Sequence, residues 1–196
     1  MPSPTLTGTA PDADRLAALL AERSAKRGSF TLASGKQSTL YIDARLTTMS
    51  PDGLTLIGPL GFAAIERAGW QVDAVGGLTL GADPVSYAVS YASAIAGRPI
   101  RAFTVRKEAK QHGTGKLIEG PFRAGDRVAV VEDVITTGGS ALKAIAAVRA
   151  AGGRVAGVLA VVDREEGGRE AIEAEGVSVL ALARAEAIVA RMGGGA

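Results

Sequence analysis

Between about residue 72 and residue 183 the chain alternates short apolar runs with helical patterns, and this alternation constrains the fold more than any other feature. Apolar runs at 72–76, 100–105, 128–132, 155–162 and 177–183 are separated by helical stretches at 83–96, 140–151 and 168–175. The runs are nearly continuous in apolar residues, so both faces of each strand must be covered. Parallel strands between two helical layers meet that condition. The expectation is an α/β core over residues 50–184, opening with a helix at 51–69. Ahead of it, Leu16, Leu19 and Leu20 repeat at helical spacing within 12–26, with Gly28 as the stop. Short β-type runs then fill 30–45, broken at Ser34-Gly35. Residues 1–49 are thus expected to form a leader, a helix and a small appendage, and 185–196 a closing helix and tail. The first 14 residues are polar, with Pro2, Pro4 and Pro11, and read as an unstructured leader rather than a secretion signal.

Composition removes several function classes. With 196 residues, 47% of them hydrophobic, the chain can bury a core without covalent staples. It contains no cysteine, which excludes disulfides and thiolate metal sites and fits a reducing, cytoplasmic setting. The low-charge stretch 77–97 carries Asp83-Pro84 and many small residues, so it reads as a loop and buried helix, not a membrane span. A net charge of +2 gives no case for a nucleic-acid partner. Its distribution is uneven, however: residues 101–116 hold five cations (Arg101, Arg106, Lys107, Lys110, Lys116) against one anion, Glu108. An anionic partner is expected there.

In a parallel sheet, ligands bind outside the carboxyl ends of the strands, here just after residues 76, 105, 132 and 162. The third position carries Glu132-Asp133-Val134-Ile135-Thr136-Thr137-Gly138-Gly139-Ser140. A glycine turn leading into a helix offers backbone N–H groups and a positive dipole end to a phosphate. Thr136, Thr137 and Ser140 add hydroxyls, and Ser140 is a credible helix N-cap. Two carboxylates would repel that phosphate unless they faced a neighbouring polyol. Phosphate beside sugar hydroxyls describes a ribose 5-phosphate. Neither G-x-x-x-x-G-K-[ST] nor G-x-G-x-x-G occurs, so a triphosphatase loop or dinucleotide fingerprint is not supported. After residue 162, Arg164 either pairs with Glu165 or Glu166 at the surface or clamps a planar carboxylate in two-pronged fashion.

The string 130–140 resembles the phosphoribosyl pyrophosphate signature of type I phosphoribosyltransferases. That resemblance implies a Rossmann-like fold, a mobile catalytic loop, a small N-terminal hood and dependence on Mg²⁺ held mainly by substrate and water, without direct protein ligands. Residues 106–113, Arg-Lys-Glu-x-Lys-x-His-Gly, are similar to the catalytic loop of orotate phosphoribosyltransferases in particular. On that basis Arg106, Lys107, Lys110 and His112 would meet the pyrophosphate, with Lys110 and Asp133 in catalytic roles. Glu132, Asp133, Val134, Ile135, Thr136, Thr137, Gly138, Gly139 and Ser140 would hold the ribose phosphate, and Thr136 and Arg164 the orotate. Residues 28–38 with Tyr41-Ile42-Asp43 resemble the hood motif, and 76–84 the pyrophosphate turn.

The family also implies a homodimer sharing its basic loops. The reaction implied is transfer of ribose 5-phosphate to orotate in pyrimidine biosynthesis. Ala33 and Leu78-Thr79 stand where some members carry lysine or Tyr-Lys. The competing readings are a purine or uracil phosphoribosyltransferase, for which Arg164 and the basic string lack a purpose, and a sensing regulator that has lost catalysis. No helix-turn-helix pattern supports the latter.

Overall fold

The computed structural model describes residues 8–31, 37–108 and 116–193. The first helix, α1 (Ala10–Arg23), starts inside the expected leader. Pro11 lies in its first turn, where a missing N–H is no loss. The Asp12 carboxylate accepts from the backbone N–H and the hydroxyl of Thr9, at 3.2 and 2.8 Å. The helix does not reach Gly28. It ends at Ser24, whose hydroxyl meets that of Thr47 at 2.7 Å in the interior, and β1 (Ala25–Thr31) begins at once. This strand pairs antiparallel with β2 (Gln37–Ile42), Ala25 opposite Ile42 and Thr31 opposite Gln37. The rings of Phe30 and Tyr41 stack across the pair with centroids 5.3 Å apart.

A one-turn helix α2 (Arg45–Thr48) leads to α3 (Pro51–Arg67), and the alternating core follows. Its elements are β3 (Ala74–Leu78), α4 (Ala82–Ile95), β4 (Arg101–Val105), the short β5 (Ile118–Glu119), β6 (Arg127–Ile135), α5 (Gly139–Ala150), β7 (Arg154–Asp163), α6 (Gly168–Glu173), β8 (Val179–Arg184) and α7 (Ala185–Arg191). All five expected strands form. Two shifts matter for the site: β3 runs two residues later than 72–76, and β6 continues past Glu132. The continuation follows from pairing, because Val134 lies opposite Val162 and Ile135 opposite Asp163 in the β7 ladder.

The sheet order is β5-β4-β3-β6-β7-β8, parallel except for β5. Side chains of β6 alternate between two cores. Ala129 and Val131 join Leu16, Leu20, Ile57, Val85 and Ile188, whereas Val128 and Val130 join Ile145, Val148 and Ile172. One face of the sheet is therefore covered by α1, α3, α4 and α7, the other by α5 and α6. This is the doubly covered α/β architecture that the apolar runs require. Among the described residues no helix is long and apolar enough to cross a membrane.

Candidate active site

From β3 the chain passes outward to β4, and from β6 it passes the other way to β7 and β8. The strand order reverses between β3 and β6, and such a reversal opens a crevice at the carboxyl ends. The ladder between them spans only Ala74↔Val128 to Gly76↔Val130. Beyond that point β3 runs on to Leu78 and β6 to Ile135, leaving a cleft of about 300 Å³. The end of β2 and the segment after it contribute Tyr41, Asp43 and Arg45 to its wall, the turn after β3 contributes Thr79 and Gly81, and β6 with its loop contributes Glu132, Asp133, Thr136 and Ser140.

The loop after β6 is shaped for an anion. Gly138 adopts a left-handed φ of 79° at the N-cap of α5, a conformation that favours glycine. A Cβ there would lie 2.8 Å from the carbonyl oxygen of Gly168. The expected cap at Ser140 is thus displaced to Gly138, because the left-handed turn starts the helix one residue before Gly139. No side chain caps α5, so its first N–H groups are left for a ligand. Gly168 supports the loop from below, its α-carbon so close that a Cβ would reach 2.5 Å from the Thr136 carbonyl oxygen.

The two acids differ in setting. Asp133 packs against the turn after β3: a Cβ on Gly81 would fall 2.4 Å from Asp133 Oδ1. Its Oδ1 also accepts from the N–H of Val134 at 2.9 Å. Glu132 is only 6% exposed, and its Oε2 is buried with no hydrogen-bond partner. Burial, with the neighbouring Asp133 carboxylate adding to it, pushes the Glu132 carboxyl well above the ordinary glutamate range. An unsatisfied buried carboxyl oxygen at a cleft is a place for a ligand hydroxyl. Val134 lines the cleft, but the side chain of Ile135 is core, 1% exposed, so Ile135 can reach a ligand only through its backbone.

Arg164 is not a surface residue. Its side chain is 4% exposed. Nη2 donates to the Leu40 carbonyl at 2.9 Å and to Ser38 Oγ at 3.2 Å, both on β2. It also lies 2.7 Å from Glu166 Oε1, while Nε is buried without a partner. Of the basic segment, Lys107 lines the cleft. Arg106 borders an adjoining recess with Thr79 and Thr104 and reaches Glu119 at 3.4 Å. Lys110, His112 and Ala33 lie outside the described residues. Among the described residues no group of three or more acids or histidines is arranged to hold a metal ion.

No family model matches the chain. Individual proteins do. The chain is 49% identical over 172 residues to an orotate phosphoribosyltransferase of Aquifex aeolicus, covering 86% of this chain and 93% of that protein. It is 51% identical over 176 residues to one of Mycobacterium avium, covering 88% and 96%. The chain belongs to the orotate phosphoribosyltransferase family.

Solved members of the family share the fold. The Mycobacterium tuberculosis orotate phosphoribosyltransferase in complex with Fe(III) dicitrate superposes with a TM-score of 0.79 at 47% identity, over 91% of this chain and 99% of that one. The same enzyme in complex with 5-phospho-alpha-D-ribosyl 1-diphosphate gives 0.74 at 42% identity, over 92% and 93%. An adenine phosphoribosyltransferase of Leishmania tarentolae, 16% identical, shares the fold alone with a TM-score of 0.61.

At Thr79, where some orotate phosphoribosyltransferases carry lysine, this chain presents a hydroxyl that donates to Asp83 Oδ2 at 2.7 Å. Thr104 donates to the other oxygen of the same carboxylate at 2.8 Å. The turn is fixed by neutral and acidic groups and contributes no cation. Arg45, which no sequence motif marks, lines the cleft while forked on Asp43 at 2.8 and 2.9 Å. The only available signal was the acid two residues before it. Gly81 is legible only as part of the turn, and its contact with Asp133 is not readable from spacing.

Proposed function

We propose that the chain transfers the ribose 5-phosphate group of 5-phosphoribosyl 1-pyrophosphate to orotate, releasing pyrophosphate and orotidine 5′-monophosphate, a step of pyrimidine nucleotide synthesis in the cytoplasm. The observation that carries this reading is the convergence at one strand reversal of an uncapped helix N-terminus and a buried unsatisfied carboxyl, with an arginine of unpaired Nε at the end of the adjacent strand β7.

Each group then has a task. The N–H groups and hydroxyls of 136–140 bind the 5-phosphate, and Val134 and Ile135 border it through the backbone. Asp133 and Glu132 accept or exchange hydrogen bonds with the ribose hydroxyls, fixing C1 between base and leaving group. Thr136 and Arg164 orient orotate, the guanidinium taking its carboxylate. Displacement at C1 builds positive character on the sugar and negative charge on pyrophosphate, so cations at the leaving group lower the barrier. Lys107 lines the cleft and Arg106 the adjoining recess, and Lys110 and His112 complete the set, Lys110 as the catalytic cation. A Mg²⁺ ion suits the oxygen donors of this cleft. Held mainly by pyrophosphate and water beside Glu132 and Asp133, it would neutralise the leaving group. Residues 1–49 act as the hood over a phosphoribosyltransferase core at 50–184, with 185–196 packed beside it.

The active form is a homodimer whose basic loops serve neighbouring sites. Its support is an apolar surface: Tyr87, Tyr91 and Ile95 on one side of α4 are exposed, as are Leu80, Leu46 and Met49. Tyr87 and Tyr91 border an apolar groove against Leu54 and Pro59 of α3. Exposed patches of this kind mark association surfaces.

The test is to supply the protein with phosphoribosyl pyrophosphate and Mg²⁺ together with orotate, uracil, hypoxanthine or adenine. Consumption of orotate alone is expected. Consumption of a purine in preference would overturn the assignment.

A further inference from the structure

Arg164 holds a charge almost wholly out of water. A buried guanidinium needs a counter-charge, and leaving it unpaired is strongly destabilising. Before substrate arrives, this chain has its own: Glu166 Oε1 lies 2.7 Å from Arg164 Nη2. The neighbouring Glu165 is turned away. It adopts a left-handed φ of 58°, its Oε2 accepts from the N–H of Glu186 at 3.4 Å, and its other oxygen is 3.9 Å from Arg184. The turn between them is fixed by Asp163, whose carboxylate accepts from the N–H of Glu165 at 2.9 Å and from Arg169 Nε at 2.8 Å. Glu166 is therefore delivered to Arg164 by a braced loop, and it is 31% exposed, free to swing into water.

We infer that Glu166 is a specificity-determining residue, an internal carboxylate that occupies the substrate-carboxylate position on Arg164 and must be displaced when orotate binds. The inference rests on the reading of Arg164 as the orotate contact. A planar carboxylate takes arginine best through two parallel N–H bonds. On the Nε–Nη2 edge Nε is vacant, whereas Nη2 already donates to Leu40 and Ser38 and faces Glu166, so an incoming carboxylate takes Nε and the place that Glu166 holds. Exchange of one carboxylate for another keeps the buried charge compensated throughout. A pyrimidine without a carboxylate cannot make the exchange and leaves Glu166 in place, so the internal pair weakens orotate binding alone and narrows the preference for orotate by its own strength.

The test is calorimetric titration of the full-length protein with orotidine monophosphate and, separately, with uridine monophosphate, which lacks the carboxylate. Glu166→Gln keeps an oxygen on Nη2 and removes the charge. It should tighten orotidine monophosphate about fivefold, the upper end for a partly exposed ion pair, and leave uridine monophosphate unchanged. Glu166→Ala should shift in the same direction. Weaker or unchanged orotidine monophosphate binding in both variants, or equal changes for the two nucleotides, overturns the inference. Arg164→Ala separates the two levels. If it abolishes the preference for orotidine over uridine monophosphate, the orotate reading stands whatever Glu166 does. If it leaves the preference intact, the reading beneath the inference fails as well.

Discussion

Gly81 provides the sharpest perturbation of the site. A methyl group added there would sit 2.4 Å from Asp133 Oδ1, 2.5 Å from its carboxyl carbon and 2.6 Å from Oδ2. Ordinary contact between non-bonded heavy atoms begins at roughly 3.5 Å, so the carboxylate must retreat by about 1 Å. The backbone itself would tolerate the change. Gly81 lies at φ −62° and ψ −39°, right-handed helical geometry that alanine adopts freely, and the substitution restricts the unfolded chain. The cost therefore falls on the placement of Asp133. Misplacing a substrate-orienting group by 1 Å lowers rate about 100-fold, or about 2.7 kcal/mol of barrier. Steady-state orotate consumption and thermal melting together make the assay. Gly81→Ala should lower kcat/KM for phosphoribosyl pyrophosphate about 100-fold and move the melting temperature by no more than about 4 °C. Added to Asp133→Asn, it should cost little more, since both act through one carboxylate. A Gly81→Ala protein within about twofold of the parent rate would refute the claim that Asp133 must hold its place.

Three further outcomes are expected. Lys110→Ala should depress kcat by about 100-fold or more while leaving the orotate KM nearly unchanged; equal losses in both would remove its catalytic assignment. The raised Glu132 value means that the folded chain holds this proton more tightly than the unfolded chain. Its contribution to stability is complete below the ordinary value of 4.5 and is lost as pH rises from there through the raised folded value. Urea midpoints of Glu132→Gln, compared with the parent between about pH 5 and about pH 8, should therefore lose that decline, and parallel curves would contradict it. Tyr91→Glu, on the exposed face of α4, should yield a monomer in sedimentation with greatly reduced activity. A fully active monomer would show that neighbouring subunits do not share their loops.

The legible parts of the molecule are those decided by local chemistry. The strands of the core announce themselves by continuous apolar runs because both faces of each are buried. The loop 136–140 is visible because a left-handed turn against Gly168 demands glycine at Gly138. Features set by distant partners are not visible. The end of α1 depends on Ser24 meeting Thr47, so helical spacing carried the expected helix too far, into β1. The short β5 exists only because Thr104 and Val105 pair with Glu119 and Ile118. Ser140 looked like the N-cap because its residue type suits one, yet the left-handed Gly138 took that place. Arg164 offers two readings in sequence, surface ion pair or ligand clamp. In the structure it pairs with Glu166, but in the interior, tied to β2 by Ser38 and Leu40.

The position of the bound product tests the proposed site most directly. A crystal of the protein with orotidine monophosphate should place the phosphate on the N–H groups of 137–140, the ribose hydroxyls against Asp133 and the base carboxylate on Arg164 with Glu166 swung away. A phosphate seated elsewhere, with the loop after β6 empty, would contradict it.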